Sequence, residues 1–156
     1  MSAFVPARID VRLTDDAQDN GLANMLAELL RQNLEARPVA RARCAAMKGR
    51  IVLHARDAEV TMTLDFRGDA VIIHDGAIEG ADATIEADAD AIVTMSRLPI
   101  RTRFELPIFN PASDRDRDAL GAWRTVLAEG QVHTVVHRAR AVALLMRFTS
   151  ILSVGT

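Results

Sequence analysis

The sequence predicts an α+β fold. Several short segments alternate apolar and polar residues with the period of half-buried strands, and others repeat apolar residues at the three- and four-residue steps of amphipathic helices. The connections between the central strand segments are short, which favours antiparallel pairing over parallel crossovers. A sheet with one apolar face must be covered, and four amphipathic helices are available to cover it.

The first elements are a strand and a helix. Residues 8–14 alternate apolar and polar side chains and predict a short strand. An amphipathic helix follows, and we expect it to end before Pro38 because proline disfavours the α conformation of the residue that precedes it. The apolar positions of this helix are Leu22, Met25, Leu26, Leu29, Leu30 and Leu34. Residues 39–48 are rich in Ala and Arg and fit either a short second helix or a loop.

Four strand segments form the middle of the chain, and their short turns predict an antiparallel meander. The clearest strand covers 60–67, where Val60, Met62, Leu64 and Phe66 share one face. The other three segments cover 51–54, 71–73 and 83–87.

The second half of the chain is predicted to be mainly helical. In chain order it contains a helix capped by Asp88 or Asp90 and stopped by Pro99, a Pro-rich apolar loop over 99–113, a helix from Ser113 to Gly130, a strand over 131–138, and a terminal apolar helix over 139–152. The apolar loop is interpreted either as a plug in the core or as a lid over a ligand.

Composition indicates one globular domain over residues 1–156, with 49% hydrophobic and 26% charged residues. No apolar run is long enough to span a bilayer, and the start lacks the basic and apolar parts of a secretory signal. Cys44 is the single cysteine, so no internal disulfide can form. We therefore expect a cytoplasmic location.

The charge pattern argues against a nucleic-acid partner. The formal net charge is −2, there is no tyrosine, and aromatic residues make up 4% of the chain. Nucleic-acid binding usually requires concentrated positive charge and aromatic stacking platforms. Residues 57–90 instead carry ten acids and one base, which we interpret as a solvated face of the sheet.

No catalytic, metal or nucleotide motif is present in the sequence, so we predict a protein without enzymatic activity, metal or cofactor. His133 and His137 would share one face of a strand roughly 13 Å apart, which disfavours a shared metal ion. Cys44 lacks a Cys-x-x-Cys partner and is interpreted as structural. A weaker alternative is an enzyme that uses His133 or His137 as a base.

Several segments together resemble the sterol carrier protein (type 2) family over about residues 22–154. The segments are the opening helix followed by Gly49-Arg50-Ile51, the strand VTMTLDF (60–66) with VIIHDG (71–76), the stretch ADATIEADADAIVTM (81–95), and Gly130 leading into a strand and a helix that ends in Ile151-Leu152-Ser153-Val154. The chain departs from that pattern in its longer segment 99–113, in the added strand over 8–14, and in the two histidines of 131–138.

This resemblance implies a two-layer fold, in which helices cover one face of an antiparallel-dominated sheet of about five strands. It also implies an apolar tunnel between the layers and the non-catalytic binding or transfer of a lipid or fatty-acyl-type small molecule. The predicted ligand-binding residues are Ile92, Met95, Phe104, Phe109, Trp123, Leu145, Met146 and Phe148. Core packing is the alternative for such residues, since apolar pockets and cores use the same side chains.

Two further aspects stay open at this point. The alternative function is an accessory protein-interaction or dimerisation module, whose core is filled by its own side chains and whose apolar patch binds a partner. Transient contact with a membrane surface and the formation of an oligomer are compatible with either function.

Overall fold

Most of the secondary structure elements in the described part of the chain are strands. The computed structural model describes residues 6–92, 101–103, 106–108, 132–139 and 141–152. The strands are β1 (Asp10–Leu13), β2 (Lys48–Ala55), β3 (Val60–Arg67), β4 (Ala70–Asp75), β5 (Ala83–Ala87), β6 (Arg101–Arg103), β7 (Leu106–Ile108) and β8 (Val132–Val136). Six of them pair into one sheet in the order β1-β4-β3-β2-β5-β8, and β6 and β7 form a separate hairpin.

The main sheet is mixed, so the prediction of an antiparallel-dominated sheet of about five strands is wrong in both number and pairing. β1 runs parallel to β4 and β5 runs parallel to β2, while the other three pairings are antiparallel. The predicted meander is therefore correct for β2, β3 and β4 and fails at β5. That strand lies beyond β2 instead of beside β4.

The stagger of the strands explains how seven residues can make this parallel crossover. β4 ends at Asp75 beside Met62, and Met62 in turn pairs with Leu53 of β2. β5 begins at Ala83 beside Ile51, two positions earlier in β2. The chain from 76 to 82 thus needs to cross the sheet sideways while moving back by only two residues, so it does not need a helix to return.

Residues 76–82 cross the outer face of the sheet, which is the face opposite the helices. The Thr63 hydroxyl donates to the carbonyl of Gly76 at 2.8 Å and accepts the backbone N–H of Ile78 at 3.1 Å. Farther along, the Arg50 guanidinium donates to the carbonyl of Glu79 at 2.6 Å. Polar side chains of the sheet, and not apolar contacts, therefore hold residues 76–82 against this part of the outer face.

Three helices pack on the inner face: α1 (Gly21–Ala36), α2 (Pro38–Ala45) and α3 (Ala141–Leu152). The Asn20 side chain caps α1 by accepting the N–H of Ala23 at 3.0 Å. Pro38 does more than stop α1, because it opens α2 at a position where proline loses no helical hydrogen bond. Of the two interpretations of residues 39–48, the helix is confirmed through Ala45.

The core lies between the inner face of the sheet and these helices. It is built from the side chains that alternate inward along the strands and from the buried stripes of the helices, which include Val11, Leu26, Leu30, Leu34, Ile51, Leu53, Met62, Leu64, Phe66, Ile73, Leu144, Phe148 and Ile151. Full burial of each such aliphatic or aromatic side chain contributes about 1.5–3 kcal/mol. The predicted stripe of α1 is wrong at Met25, which is exposed.

The predictions for residues 88–130 have mixed outcomes. Residues 89–92 are helical, and the Ile92 N–H donates to the carbonyl of Asp88 at 3.1 Å, which confirms the predicted helix start. The segment 99–113 was expected to be a loop, whereas β6 and β7 pair within it. The helix predicted from Ser113 lies outside the described residues. Within the described ranges, none of the helices has the length and apolar character needed to cross a membrane.

Candidate functional site

The terminal helix α3 is the element that the sequence predicts to lie over a ligand. Its inner side packs on the core through Ala141, Leu144, Phe148, Ile151 and Leu152. The Phe148 ring meets Phe66 of β3 edge to face, which is a favoured geometry for two aromatic rings. At the far end of α3, the Asn33 amide donates to the carbonyls of Ile151 and Leu152, each at 3.0 Å.

The start of α3 is held by Asp82, which is buried at the beginning of β5. One oxygen of its carboxylate accepts the N–H of Arg50 at 2.9 Å, and the other accepts from the Arg138 guanidinium at 3.3 Å. The backbone carbonyl of Asp82 also accepts the N–H of His137 at 2.8 Å. Asp82 therefore ties β2, β5 and the turn before α3 together, and α3 cannot shift along the sheet without breaking these bonds.

The predicted ligand-binding residues fall into three groups in the structure. Ile92 and Phe148 are buried in the core cluster. Leu145 and Met146 are half-buried on α3, and Leu145 packs against the core cluster. Met95, Phe104, Phe109 and Trp123 lie outside the described residues. The roles of all eight in ligand binding stay predictions.

The side of α3 that faces away from the core is also apolar. Val142 is 57% exposed, and Met146, four residues later, is half-buried on the same side, while Leu145 lies between this side and the core. On β8, Val136 pairs with the inward-facing Ala83 and is also exposed. We call Val142 and Met146 the outer stripe of α3. An amphipathic helix that used only its core contacts would carry polar residues at these positions.

Two of the cavities along the described residues include no predicted ligand-binding residue. One cavity of about 610 Å³ lies at the free edge of β1, between that strand, α1 and α2. A second cavity of about 410 Å³ is lined by Asp16, Asp19, Asn20, Gly21, Glu59, Val60, Thr61, Asp75 and Gly76. Both linings mix polar and apolar side chains, unlike the predicted apolar tunnel.

The outer face of the sheet carries an ion cluster around Asp65, which is only 5% exposed. The Arg67 guanidinium donates to its carboxylate at 3.0 and 3.1 Å, and Arg50 lies 3.6 Å from the same oxygen. His74 Nε2 lies 3.9 Å from that oxygen and is buried with no hydrogen-bond partner among the described residues. The acidic stretch was expected to be a solvated face, but at this position two arginines shield the carboxylate from water.

The histidines named as alternative bases do not lie in a pocket among the described residues. His133 and His137 are both exposed, although the Nε2 of His137 is within 3.0 Å of the Thr84 hydroxyl. A general base is expected in a cleft with a group that orients it. These positions give no support to the weaker enzyme hypothesis.

Cys44 is buried in α2 and 1% exposed, as the structural interpretation of this cysteine requires. Burial raises the pKa of its thiol to about 12, because the surrounding apolar groups cannot solvate a thiolate. The thiolate is the reactive form, so this thiol is unreactive at neutral pH.

The architecture described above is a two-layer α+β fold, and solved structures share it. The ubiquinone synthesis protein UbiJ-SCP2 has this fold with a TM-score of 0.53 and 14% identity, over 84% of this chain and 91% of its own. A crystal structure of sterol carrier protein 2 aligns with a TM-score of 0.47 and 17% identity, over 82% and 91% of the two chains. No family model and no curated protein matches the sequence. The resemblance found in the sequence is thus confirmed at the level of the fold.

Sequence reasoning did not find the cavity at the β1 edge. Its arginines come from four separate places, namely the segment before β1, β1 itself, the second half of α1 and the first half of α2. They form no motif with fixed spacing, and only the packing of α1 and α2 beside β1 brings them together.

Proposed function

We propose that the protein binds a lipid-type apolar ligand without covalent chemistry, against the outer stripe of α3. The observation that carries this proposal is that α3 packs one apolar side on the core while Val142 and Met146 place further apolar groups on the side that faces away from it. A ligand that covered Val142 and Met146 would remove this apolar surface from water.

The energetics favour a ligand with a long alkyl or isoprenoid chain. Each buried methylene contributes about 0.8 kcal/mol, so ten of them supply roughly 8 kcal/mol before the costs of association. A few polar contacts are then sufficient to orient the ligand. The fold that this chain shares with UbiJ-SCP2 supports the proposal as an analogy of fold. Transient contact with a membrane surface, where such a ligand is loaded or released, belongs to the same proposal.

The test compares two methionines that differ in their place on the fold. Met146 lies in the outer stripe of α3, whereas Met25 is exposed on α1. We expect Met146→Ser to weaken binding of a fluorescent fatty acid about five- to tenfold, because a polar side chain replaces buried apolar contact. We expect Met25→Ser to leave binding unchanged, with both variants unfolding within a few degrees of the wild type.

Mass spectrometry of the wild-type protein completes the test. A bound species that is lost on organic extraction, and that a fatty acid, sterol or isoprenoid quinone can replace, supports the proposal and gives the ligand class. Trp123, the chain's one tryptophan, offers an intrinsic fluorescence signal for the same titration. A protein that binds none of these ligands, and whose dimer is lost in Met146→Ser, would instead be the interaction module.

A further inference from the structure

The residues that line the cavity at the β1 edge carry more positive than negative charge. Four arginines line it, at positions 8, 12, 31 and 41, against two acids, Asp10 and Glu35. Arg12 and Asp10 form an ion pair at 2.9 Å. The remaining charges are three guanidinium groups and one carboxylate, so the cavity has a net charge of +2.

Two of these arginines are held in place mainly by hydrogen bonds to backbone carbonyls. Arg31 donates through Nε and Nη2 to the carbonyl of Val11 at 3.1 and 2.8 Å. Arg41 donates through Nε to the carbonyl of Pro6 at 3.1 Å and through Nη1 to the carbonyls of Leu34 and Glu35 at 2.8 and 2.9 Å. Neutral acceptors fix the direction of each guanidinium without cancelling its positive charge, which at Arg31 is partly offset by Glu28 at 3.8 Å.

Donor groups remain for a ligand after these bonds are made. Among the described residues, Arg41 Nη2 has no acceptor, and Arg31 Nη1 has only Glu28 at the long distance of 3.8 Å. Arg8 makes no hydrogen bond or ion pair with the residues that the structure describes. Planar guanidinium groups with spare N–H donors are suited to bind phosphate or carboxylate oxygens in pairs.

A neighbouring β-strand fits this edge less well than a small anion does. Asp10 and Thr14 direct their N–H groups toward β4, so the backbone of Val11 points to the free edge of the sheet. Arg31 already occupies the Val11 carbonyl, which an added strand would need for its ladder. A charged side chain at the edge of a sheet is a known means of preventing such pairing.

We propose that this cavity is a binding site for a small organic oxyanion, a phosphate monoester or a carboxylate, that the guanidinium groups of Arg8, Arg31 and Arg41 hold. The volume of about 610 Å³ is within the range of small-molecule sites. Ile9, Val11 and Leu34 contribute apolar atoms to the lining, so a short alkyl group on the anion gains affinity. The oxyanion comes either from a soluble metabolite or from a lipid headgroup. None of the lining residues belongs to α3, so this proposal does not depend on the apolar ligand.

The experiment follows the Nε–H signals of arginine by NMR while inorganic phosphate or butyl phosphate is added at low ionic strength. We expect saturable shifts of the Arg31 and Arg41 signals, with butyl phosphate bound at least about fourfold more tightly, which is the gain from burying one methylene. Raising the salt concentration weakens the binding because the site is open to solvent. Shifts that do not saturate, or that are equal at Arg56 and Arg67, would show an ionic atmosphere and overturn the proposal.

Three variants separate a specific site from an effect of overall charge. Arg8→Gln removes a guanidinium that makes no bond within the described structure, and we expect binding three- to tenfold weaker with an unchanged fold. Arg56→Gln makes the same change of charge on the turn after β2, outside the cavity, and should leave affinity unchanged. Glu35→Gln removes the unpaired carboxylate from the cavity and should tighten binding about threefold, since it lies close to the anion. Equal effects of Arg8→Gln and Arg56→Gln would contradict the proposal.

Vesicles distinguish the two sources of the anion. Binding of butyl phosphate in solution supports a soluble ligand. Sedimentation only with phosphatidylcholine vesicles that contain phosphatidic acid, lost in Arg8→Gln, supports a lipid headgroup. Binding to neither probe overturns the proposal, whatever the outcome of the fatty-acid experiment at α3.

Discussion

The rings of Phe66 and Phe148 meet edge to face, with their centroids 5.9 Å apart and their planes inclined by 64°. Phe66 belongs to the longest antiparallel pair of the sheet, and Phe148 belongs to the terminal helix. This contact joins distant parts of the chain and fixes which side of α3 faces the sheet. The outer stripe of α3 is the consequence of that orientation, because Val142 and Met146 then point away from the core.

The aromatic contact predicts that Phe148 stabilises the fold more than it binds a ligand. Phe148→Ala should lower the free energy of unfolding by about 3–5 kcal/mol, through lost burial and the cavity that remains. Phe148→Leu should lower the free energy of unfolding by less than half of this amount. Urea unfolding followed by circular dichroism measures both. The exposed Val142 of the same helix is the control, and Val142→Ala should change stability by less than about 0.5 kcal/mol. Similar costs for the two alanine variants would mean that α3 is not docked as described.

Most of the elements could be predicted because their periodicity is local. The alternation along β3 and the repeat of leucines along α1 each record which face is buried, and both elements lie where the sequence places them. The neighbour of β5 could not be predicted in this way. It depends on the stagger between Asp75 and Ala83 and on the bonds that Thr63 and Arg50 make to residues 76–82, and neither leaves a periodic signal.

Asn33 links α1 to the end of α3, and its loss should loosen that end. Asn33→Ala leaves the carbonyls of Ile151 and Leu152 without this donor, which we expect to cost about 1–3 kcal/mol. In this variant, amide hydrogen exchange should accelerate more in α3 than in α1, with each helix compared to the same helix of the wild type. A uniform increase in exchange over both helices would argue that Asn33 stabilises the fold as a whole and not the end of α3 in particular.

A carboxylate at position 33 should make the stability of the fold depend on pH in a direction that can be predicted. Asn33→Asp places a carboxylate beside two carbonyl oxygens at the negative end of α3, which raises the pKa of that carboxylate. The variant should therefore become more stable as the pH falls through its raised pKa, while the wild type gains nothing from this group. Unfolding midpoints at several pH values measure the difference.

Gly49 is required by the close approach of Asp82. Its φ of +142° is unfavourable for other residues, and a Cβ there would overlap the Asp82 carboxylate and lie 3.0 Å from Leu144. Gly49→Ala should cost roughly 2–4 kcal/mol from backbone strain and overpacking together. Gly76 is the matched control, because its φ is +73° and a Cβ there meets nothing within 4 Å. Gly76→Ala should cost about 1 kcal/mol, and an equal cost at both glycines would exclude the overlap with Asp82.

The candidate sites were less accessible to sequence reasoning than the fold was. From the sequence alone, an apolar residue of α3 that packs on the sheet, such as Phe148, cannot be distinguished from one on the outer stripe, such as Met146. Only the orientation of the helix separates the two. The arginines of the β1 edge are similar, since Arg31 and Arg41 resemble ordinary surface residues until the carbonyls of Val11 and Leu34 fix them beside one cavity.

The buried thiol of Cys44 makes stability depend on pH in the alkaline range. Its pKa is raised from 9.0 to about 12, so the folded protein keeps a proton that the unfolded chain releases. The stabilisation is fully present below pH 9.0 and is lost as the pH rises toward 12. The difference in unfolding free energy between the wild type and Cys44→Ala should therefore shrink from pH 8 to pH 10.5, as urea unfolding at each pH measures. Alkylation of the native thiol should also be far slower than that of the urea-unfolded chain, because only opened molecules expose the sulfur. A constant difference between the two proteins, or equal alkylation rates, would contradict the burial of Cys44.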